Sequence, residues 1–415
     1  MAVTAHPTRM KVGSPDYIIM LTVGVLVVLG VLAVYSSSFA LGLLEFGDAN
    51  YFVFRQVFFA LAGGAAVVVL MKSDYRQLRV LSPLLMLAAI LGLVLVLVPG
   101  IGLERNGATR WISVGGPVPA LQPSEFAKLA LIIYVSAWLA GRGDEVKQFW
   151  TGFFPFVFLV GFVAGLIMLQ PDMGTTIIIV LTTLTLVYVA GASLTHVAAF
   201  AGVAGVAAAM LVLSGGYRAD RIFAFIKAED DPSGRGFHTL QILIALGSGG
   251  IDGLGLGASR QKFFYVPGAH TDGIFAIIGE ELGFIGAAFV IILFAVLIFR
   301  GFRVIVRARD DFGSLLAVGI VSWIGYQTII NIGGITRSMP LTGVPLPFLS
   351  YGGSALLTML AAVGILLSVS RYGIDAKSLS AKPKPADDSH KIVKAKRRTT
   401  HELRNVDWPK RKGAR

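Results

Sequence analysis

The stretch Thr271-Asp272-Gly-Ile-Phe-Ala-Ile-Ile-Gly-Glu280-Glu281-Leu-Gly-Phe-Ile-Gly-Ala-Ala-Phe-Val-Ile-Ile-Leu-Phe-Ala-Val-Leu-Ile-Phe-Arg300 decides the class of this chain. From Gly273 it stays apolar for longer than the roughly 20 residues needed to cross about 30 Å of hydrocarbon. A membrane helix over Gly273–Arg300 is therefore predicted. An acid at its mouth is costly unless it is used or paired. Asp is also a favoured N-cap whose charge suits the positive helix end, and the stretch alone leaves both readings open. At 100° per residue, Glu280 falls on a face next to that of Asp272 and roughly 12 Å deeper, a candidate to line the same cavity. Glu281 points the other way and needs a partner elsewhere in the bundle.

Working outward, such runs recur. Ten spans are predicted: Tyr17–Ser36, Phe52–Met71, Val80–Pro99, Gln122–Ala140, Gly152–Leu169, Met173–Ala190, Leu194–Leu213, Gly273–Arg300, Ser314–Ile332 and Phe348–Ser370. With 55% apolar and 14% charged residues and a mean hydropathy of +0.74, the chain reads as an all-α polytopic membrane protein. It has no cysteine, which removes disulfides, thiolate nucleophiles and Cys-ligated metals. Arg9 and Lys11 precede a first run too long for a signal peptide, so that run is expected to stay as an anchor. With the N-terminus inside, the inner side collects Arg9, Lys11, Lys72, Arg76, Arg79, Arg142, Lys147, Arg300, Arg303, Arg307 and Arg309. The short outer loops hold only Arg105, Arg110 and Arg337. That asymmetry predicts both termini in the cytoplasm.

Two segments differ from the spans. Residues 373–415 form a basic tail beyond a membrane domain of residues 1–372; from Arg371 to the end there are 14 Lys/Arg and 5 Asp/Glu. Few apolar residues and scattered prolines predict disorder, with attraction to the anionic inner leaflet as its functional reading. The outer connection 214–271, between spans seven and eight, is long enough to be functional or disordered. Its periodic apolar residues favour short helices at the outer surface. The glycines of Gly247–Gly257 imitate a phosphate loop, but no strand precedes them and no Lys-Ser/Thr follows, so turns are the better reading.

Polar groups gather on the outer side. Asn106-Gly-Ala-Thr-Arg110-Trp111 precedes Leu121-Gln122-Pro-Ser-Glu125-Phe-Ala-Lys128. Pro123 suits a first helical turn, and Glu125 and Lys128 are spaced to pair on one face. Gln170-Pro-Asp172 opens the sixth span. Structural ion pairs between helices and direct substrate contact explain these groups equally well.

On these residues the chain resembles the SEDS family (shape, elongation, division and sporulation), ten-helix membrane glycosyltransferases that polymerise lipid II into peptidoglycan. The resemblance covers most of Asp16–Tyr372. Its motifs are Leu121–Lys128, Leu169-Gln-Pro-Asp-Met-Gly-Thr175, Tyr265-Val-Pro-Gly-Ala-His270-Thr271-Asp272, Glu280–Gly286 and Pro345-Leu-Pro-Phe-Leu-Ser350-Tyr351-Gly-Gly-Ser354. Pro99–Gly102 with Asn106–Trp111 is more similar to the division branch, FtsW, than to the elongation branch, RodA. Two positions depart from the family pattern: Gly273 stands where Phe is usual after the acid, and Gly268 where an acid commonly follows the proline.

The resemblance implies the chemistry. A base takes the proton of an acceptor sugar hydroxyl as that oxygen attacks the donor's anomeric carbon, and undecaprenyl diphosphate leaves. Asp272 is the implied base. Arg218, Arg221, Lys262 and Arg337 are candidates to hold the diphosphate, with Arg110, Trp111, Gln122, Glu125, Lys128, Asp172, His270, Thr271, Glu280, Ser350 and Tyr351 as further substrate contacts. A divalent cation, Mg or Mn, could bridge Asp272 and the diphosphate; no organic cofactor is implied, and the six histidines form no zinc motif. The implied partners are lipid II, a class B penicillin-binding protein transpeptidase, other division or elongation proteins and the membrane, with no nucleic acid. The implied location is the bacterial cytoplasmic membrane at the division septum. Two rival readings remain: a lipid II flippase, whose path intramembrane charges could line, and a non-catalytic division scaffold.

Overall fold

The computed structural model of the protein describes residues 13–373, apart from 106, 107, 114–119 and 214; side chains are left undescribed at 105, 144, 211, 217 and 218. The basic tail, Arg9, Lys11, Asn106 and the side chains of Arg105 and Arg218 thus lie outside the described residues. Ten helices coincide with the ten expected spans. They are α1 (Tyr17–Phe46), α2 (Tyr51–Lys72), α3 (Gln77–Leu97), α4 (Pro123–Leu139), α5 (Phe154–Leu169), α6 (Met173–Val189), α7 (Leu194–Leu213), α10 (Ile274–Arg307), α11 (Asp311–Ile335) and α12 (Gly353–Arg371). Between α7 and α10 the outer connection forms the expected short helices, α8 (Tyr217–Ile226) and α9 (Phe237–Ser248). Among the described residues seven of the ten are long and apolar enough to cross a membrane by length and composition, α5 being so together with the wider helical turn Phe149–Phe153 that leads into it; α4 has 17 residues and carries the buried Glu125 and Lys128.

Local chemistry sets the helix starts. Asp16 accepts from the Ile18 and Ile19 amides to cap α1, and Asp310 accepts from Gly313 to cap α11. Pro123 opens α4, where its missing N–H costs nothing. One connection differs from expectation. Gly102–Arg105 (β1) and Ala108–Ile112 (β2) pair antiparallel between α3 and α4, so the β-branched and aromatic residues around Arg110 form a hairpin where only a loop was predicted.

The ends of the helices alternate as the charge asymmetry requires. At one end Arg300 grips Asp16, Arg76 pairs with Asp310, and Arg371 donates to the Met71 carbonyl. These contacts join the inner ends of α1, α2, α3, α10, α11 and α12. In their most apolar stretches 67% and 72% of the residues of α11 and α12 are buried, against 17% in α2, so α11 and α12 form the centre of the bundle and α2 is peripheral. Glycine permits the closest approach of α2 to α12: a Cβ at Gly63 would come within 2.4 Å of Leu360, and one at Gly364 within 2.9 Å of Val67.

The eighth span is not continuous. α10 begins at Ile274, runs on to Arg307, and is broken at Gly283, whose φ of 66° and ψ of −166° leave the helix. The break exposes backbone groups that must be paired elsewhere. Loop residues supply the partners: Leu254 and Gly255 donate to the Glu280 and Glu281 carbonyls, and Phe284 and Ile285 donate to Gly250 and Ile251. The glycine cluster is therefore a set of turns, as expected, and also a splint. Gly253, at φ +83°, shows why glycine is needed, because a Cβ there would sit 2.2 Å from the Glu281 carbonyl oxygen.

Candidate functional site

The turn before α10 places Asp272. Thr271 and Gly273 both donate backbone N–H groups to the Gly268 carbonyl, at 2.9 and 3.1 Å. The Thr271 hydroxyl lies 3.0 Å from that carbonyl and 3.0 Å from Asp272 Oδ1. Gly268 has φ +67°, and a Cβ on it would come within 2.5 Å of Asp272 Oδ1. Its backbone thus comes up against the carboxylate in a way a larger residue would obstruct. The N-cap of α10 is Gly273, with no side-chain cap bond. Asp272 therefore does not cap the helix, which removes the structural explanation the stretch had left open.

Three neighbouring elements hold this turn. From α11, Asn331 Nδ2 donates to the Asp272 carbonyl at 2.9 Å and to Val344 at 2.8 Å. The Tyr351 amide donates to the His270 carbonyl at 2.9 Å. Ser350 Oγ accepts from the Leu346 amide, and Gln56 on α2 donates to the Ser350 carbonyl. The Phe52, His270 and Tyr351 rings meet with centroids 4.7–5.6 Å apart. Burial pushes the pKa of His270 down to about 4 against the opposing pull of the Asp272 charge, so the ring is neutral at neutral pH. His238, on α9, is also lowered by burial; Asp272 opposes that shift and Arg221 adds to it. His238, Arg221 and Asp272 thus share one electrostatic neighbourhood although 52 residues span them.

The two glutamates behave differently from Asp272. Glu280 is 1% exposed and accepts from the Ser259 hydroxyl and the Arg260 amide. It anchors the loop and does not line an open cavity beside Asp272, because it is buried and its two oxygens accept from Ser259, Arg260 and Gln261. Glu281 finds the distant partners its angle required: Ser36 of α1 at 2.6 Å and Lys262 at 3.0 Å. Lys262, expected to hold diphosphate, is consequently buried and committed to Glu281, Ser36 and the Gly257 carbonyl.

Most of the other candidates are also engaged. Glu125 and Lys128 pair at 2.8 Å with both side chains 2% exposed, and Lys128 reaches Gln327. Asp172 caps α6 through the Thr175 amide and hydroxyl. Arg110 donates to the Gln170 and Pro171 carbonyls, tying the hairpin to the α5–α6 corner; the Trp111 side chain is half-buried in the same hairpin. The Gln122 amide donates to Ser354. Arg337 pairs with Glu229, and its hydrogen bonds lower the exposed carboxyl of Glu229 to about 2. Arg221 donates to the Leu341 carbonyl at 2.6 Å. The structure therefore gathers Asp272, His270, Thr271, Ser350, Tyr351 and Arg221 about one turn, and places Glu125, Lys128 and Asp172 in inter-helix contacts.

Sequence reasoning passed over three residues. Arg55, Gln56 and Asn331 lie inside spans, where a polar residue is itself a functional signal, but long apolar runs hid them. Arg55 sits over the Tyr51 ring at 3.9 Å, on the helix that carries Phe52 and Gln56 to the Asp272 turn. Among the described residues it has no acidic partner. Arg260, in the loop that leads to Asp272, is likewise exposed and without one.

Fold and site together define a polytopic membrane protein with a half-open carboxylate at the outer ends of its helices. Residues 16–374 match the cell cycle protein family of FtsW, RodA and SpoVE, and the chain belongs to that family. It is 46% identical to the stage V sporulation protein E of Bacillus subtilis, over 87% of this chain and 98% of that one. It is 41% identical to a protein of Trichlorobacter lovleyi described as a probable peptidoglycan glycosyltransferase FtsW, over 86% and 93%. In structure it is similar to a chain of a peptidoglycan synthase complex (TM-score 0.71, 28% identity, 86% and 98% covered). It is also similar to the rod shape determining protein RodA of Thermus thermophilus (TM-score 0.64, 28% identity, 86% and 97% covered). The division and sporulation relatives thus stand nearer than RodA, in line with the reading of Pro99–Trp111.

Proposed function

We propose that this membrane protein is a peptidoglycan glycosyltransferase that polymerises lipid II at the outer face of the bacterial cytoplasmic membrane, with Asp272 as the base. One observation carries the assignment. Of the acids drawn into the outer end of the bundle, Glu125, Asp172, Glu280 and Glu281 are 1–7% exposed. Asp272 is partly open, and among the described residues its side chain has a single hydroxyl as hydrogen-bond partner. A carboxylate so placed can take the acceptor hydroxyl proton as the glycosidic bond forms, while the neutral His270 and the hydroxyls of Thr271 and Tyr351 line the approach. Arg55 and Arg260, without acidic partners among the described residues, are the cations on this side suited to the leaving diphosphate, and Arg221 adds its charge to the neighbourhood of Asp272 while bound to the Leu341 carbonyl; Lys262 and Arg337 are held by glutamates. Among the described residues no three His, Asp or Glu side chains cluster to hold a metal. Were a divalent cation to take part, Asp272 would be the carboxylate to hold it, and the cation would supply charge neutralisation for the leaving diphosphate.

Likeness to division proteins and to a chain of a synthase complex supports action at the septum beside a class B penicillin-binding protein that crosslinks the new strands. Purified protein supplied with lipid II tests the activity. Glycan polymer is the expected product, and lipid movement across a bilayer with no polymer would establish the flippase reading instead.

A further inference from the structure

At the opposite, inner end of the bundle the structure contains an open cleft of about 180 Å³ between the start of α1, the end of α10 and the end of α12. We propose that it binds the phosphate of an anionic phospholipid of the cytoplasmic leaflet. Ser14, Asp16, Arg300, Arg303, Arg307 and Ser370 are among its lining residues. The three arginines are spaced i, i+3 and i+7, which puts them on one face of α10. Their charges are not equivalent. Arg300 grips Asp16 through Nε and Nη2, at 2.6–3.2 Å, and Asp16 also accepts the first amides of α1. That acid is fully used. Among the described residues Arg303 and Arg307 have no acidic partner; both are exposed, and Arg303 lies over the Phe299 ring at 4.8 Å.

One cation in the last turn is ordinary helix-end chemistry; two arginines without an acidic partner at a concave site, beside a third already paired with Asp16, call for an anion. Guanidinium groups suit it, since their fixed fork matches phosphate oxygens. The source is set by the surroundings. The same two helices present Tyr17 and Leu21 on α1, and Phe299 and Phe302 on α10, each more than half exposed, a bed for acyl chains above the headgroup. Basic pockets between helices at the cytoplasmic surface are where anionic headgroups settle.

Native mass spectrometry of the full-length protein in detergent, offered equal phosphatidylglycerol and phosphatidylcholine, tests the proposal. Wild type should retain phosphatidylglycerol preferentially, and Arg303→Gln with Arg307→Gln should reduce that preference at least tenfold with an unchanged melting midpoint. Arg303→Gln alone, at an exposed position, should show a partial loss should the double variant fold poorly. Lys72→Gln with Arg79→Gln removes equal charge from the inner end outside the cleft and should leave the preference intact. Equal losses in the two double variants would mean diffuse surface charge and overturn the site. Displacement of the lipid by glycerol phosphate at the same concentration would assign the cleft to a soluble phosphate and overturn the lipid.

Discussion

The mouth of α10 and its break lie within twelve residues of one another and hold three acids, yet they treat them in opposite ways. At the break, Glu280 and Glu281 are buried and supplied with hydroxyl, amide and ammonium donors. At the mouth, Asp272 has its backbone fixed by Asn331 while its carboxylate keeps an open side. A buried charge with a complete set of partners is fastened to the structure, and changing it alters folding. A charge with one weak partner on a rigid backbone is free to act on something that arrives from outside. That contrast separates architecture from chemistry among residues of the same type.

The largest effect should come from Asp272→Asn. It preserves size and removes the base, which typically contributes 10²–10⁴-fold in rate. Because Asp272 caps nothing, the melting midpoint should hardly move, and lipid II should still bind. Polymer assayed from lipid II should nearly vanish; a rate within a few-fold of wild type would end the base assignment.

Next in size is Glu281→Gln, which leaves Lys262 buried without its anion. Breaking such a pair commonly costs 3–5 kcal/mol, so a large drop in thermal stability is expected. Adding Lys262→Met should restore much of it, since an uncharged pair no longer carries the desolvation penalty. A variant of normal stability but no activity would move Glu281 from architecture to chemistry. Glu125→Gln is expected to follow the same pattern through Lys128, whose side chain is equally buried.

The contrast also has a pH signature. The His270 pKa lies at about 4 in the fold and near 6.5 when unfolded. Between these values the unfolded chain binds the extra proton and the folded chain does not. The contribution is therefore intact above pH 6.5 and declines as pH falls towards 4. Unfolding midpoints measured across pH 4–7 should fall with acid in wild type and fall less steeply in His270→Asn; identical slopes would place the ring in a wetter setting than the structure gives it.

The smallest effect is expected from deleting Lys382–Arg415. The Lys/Arg asymmetry predicts a cytoplasmic tail, so polymerisation by purified protein should be nearly unchanged. Any loss should appear only in cells, as altered localisation seen by fluorescence. A purified truncation with little activity would contradict the separation of the two faces.

The sequence by itself determined the ten helices, their alternation, the outer helical connection and the acid at the head of the eighth span. All of these rest on composition, periodicity and Lys/Arg counts, which are local or additive. It also held the motifs that mark the family. Only the tertiary structure decided which charges are free. Lys262 looked like a cation awaiting phosphate until Glu281 and Ser36, 19 and 226 residues away, were brought to it. Arg337 looked open until Glu229 reached it. The α10 break could not be read from Gly283, since glycine is common in this chain and a helix leaves its path only where another segment takes up the freed amides and carbonyls. Gly250–Gly255 does so here. Partnership is a property of distance in space, and residues far apart in the chain acquire it only once the helices pack.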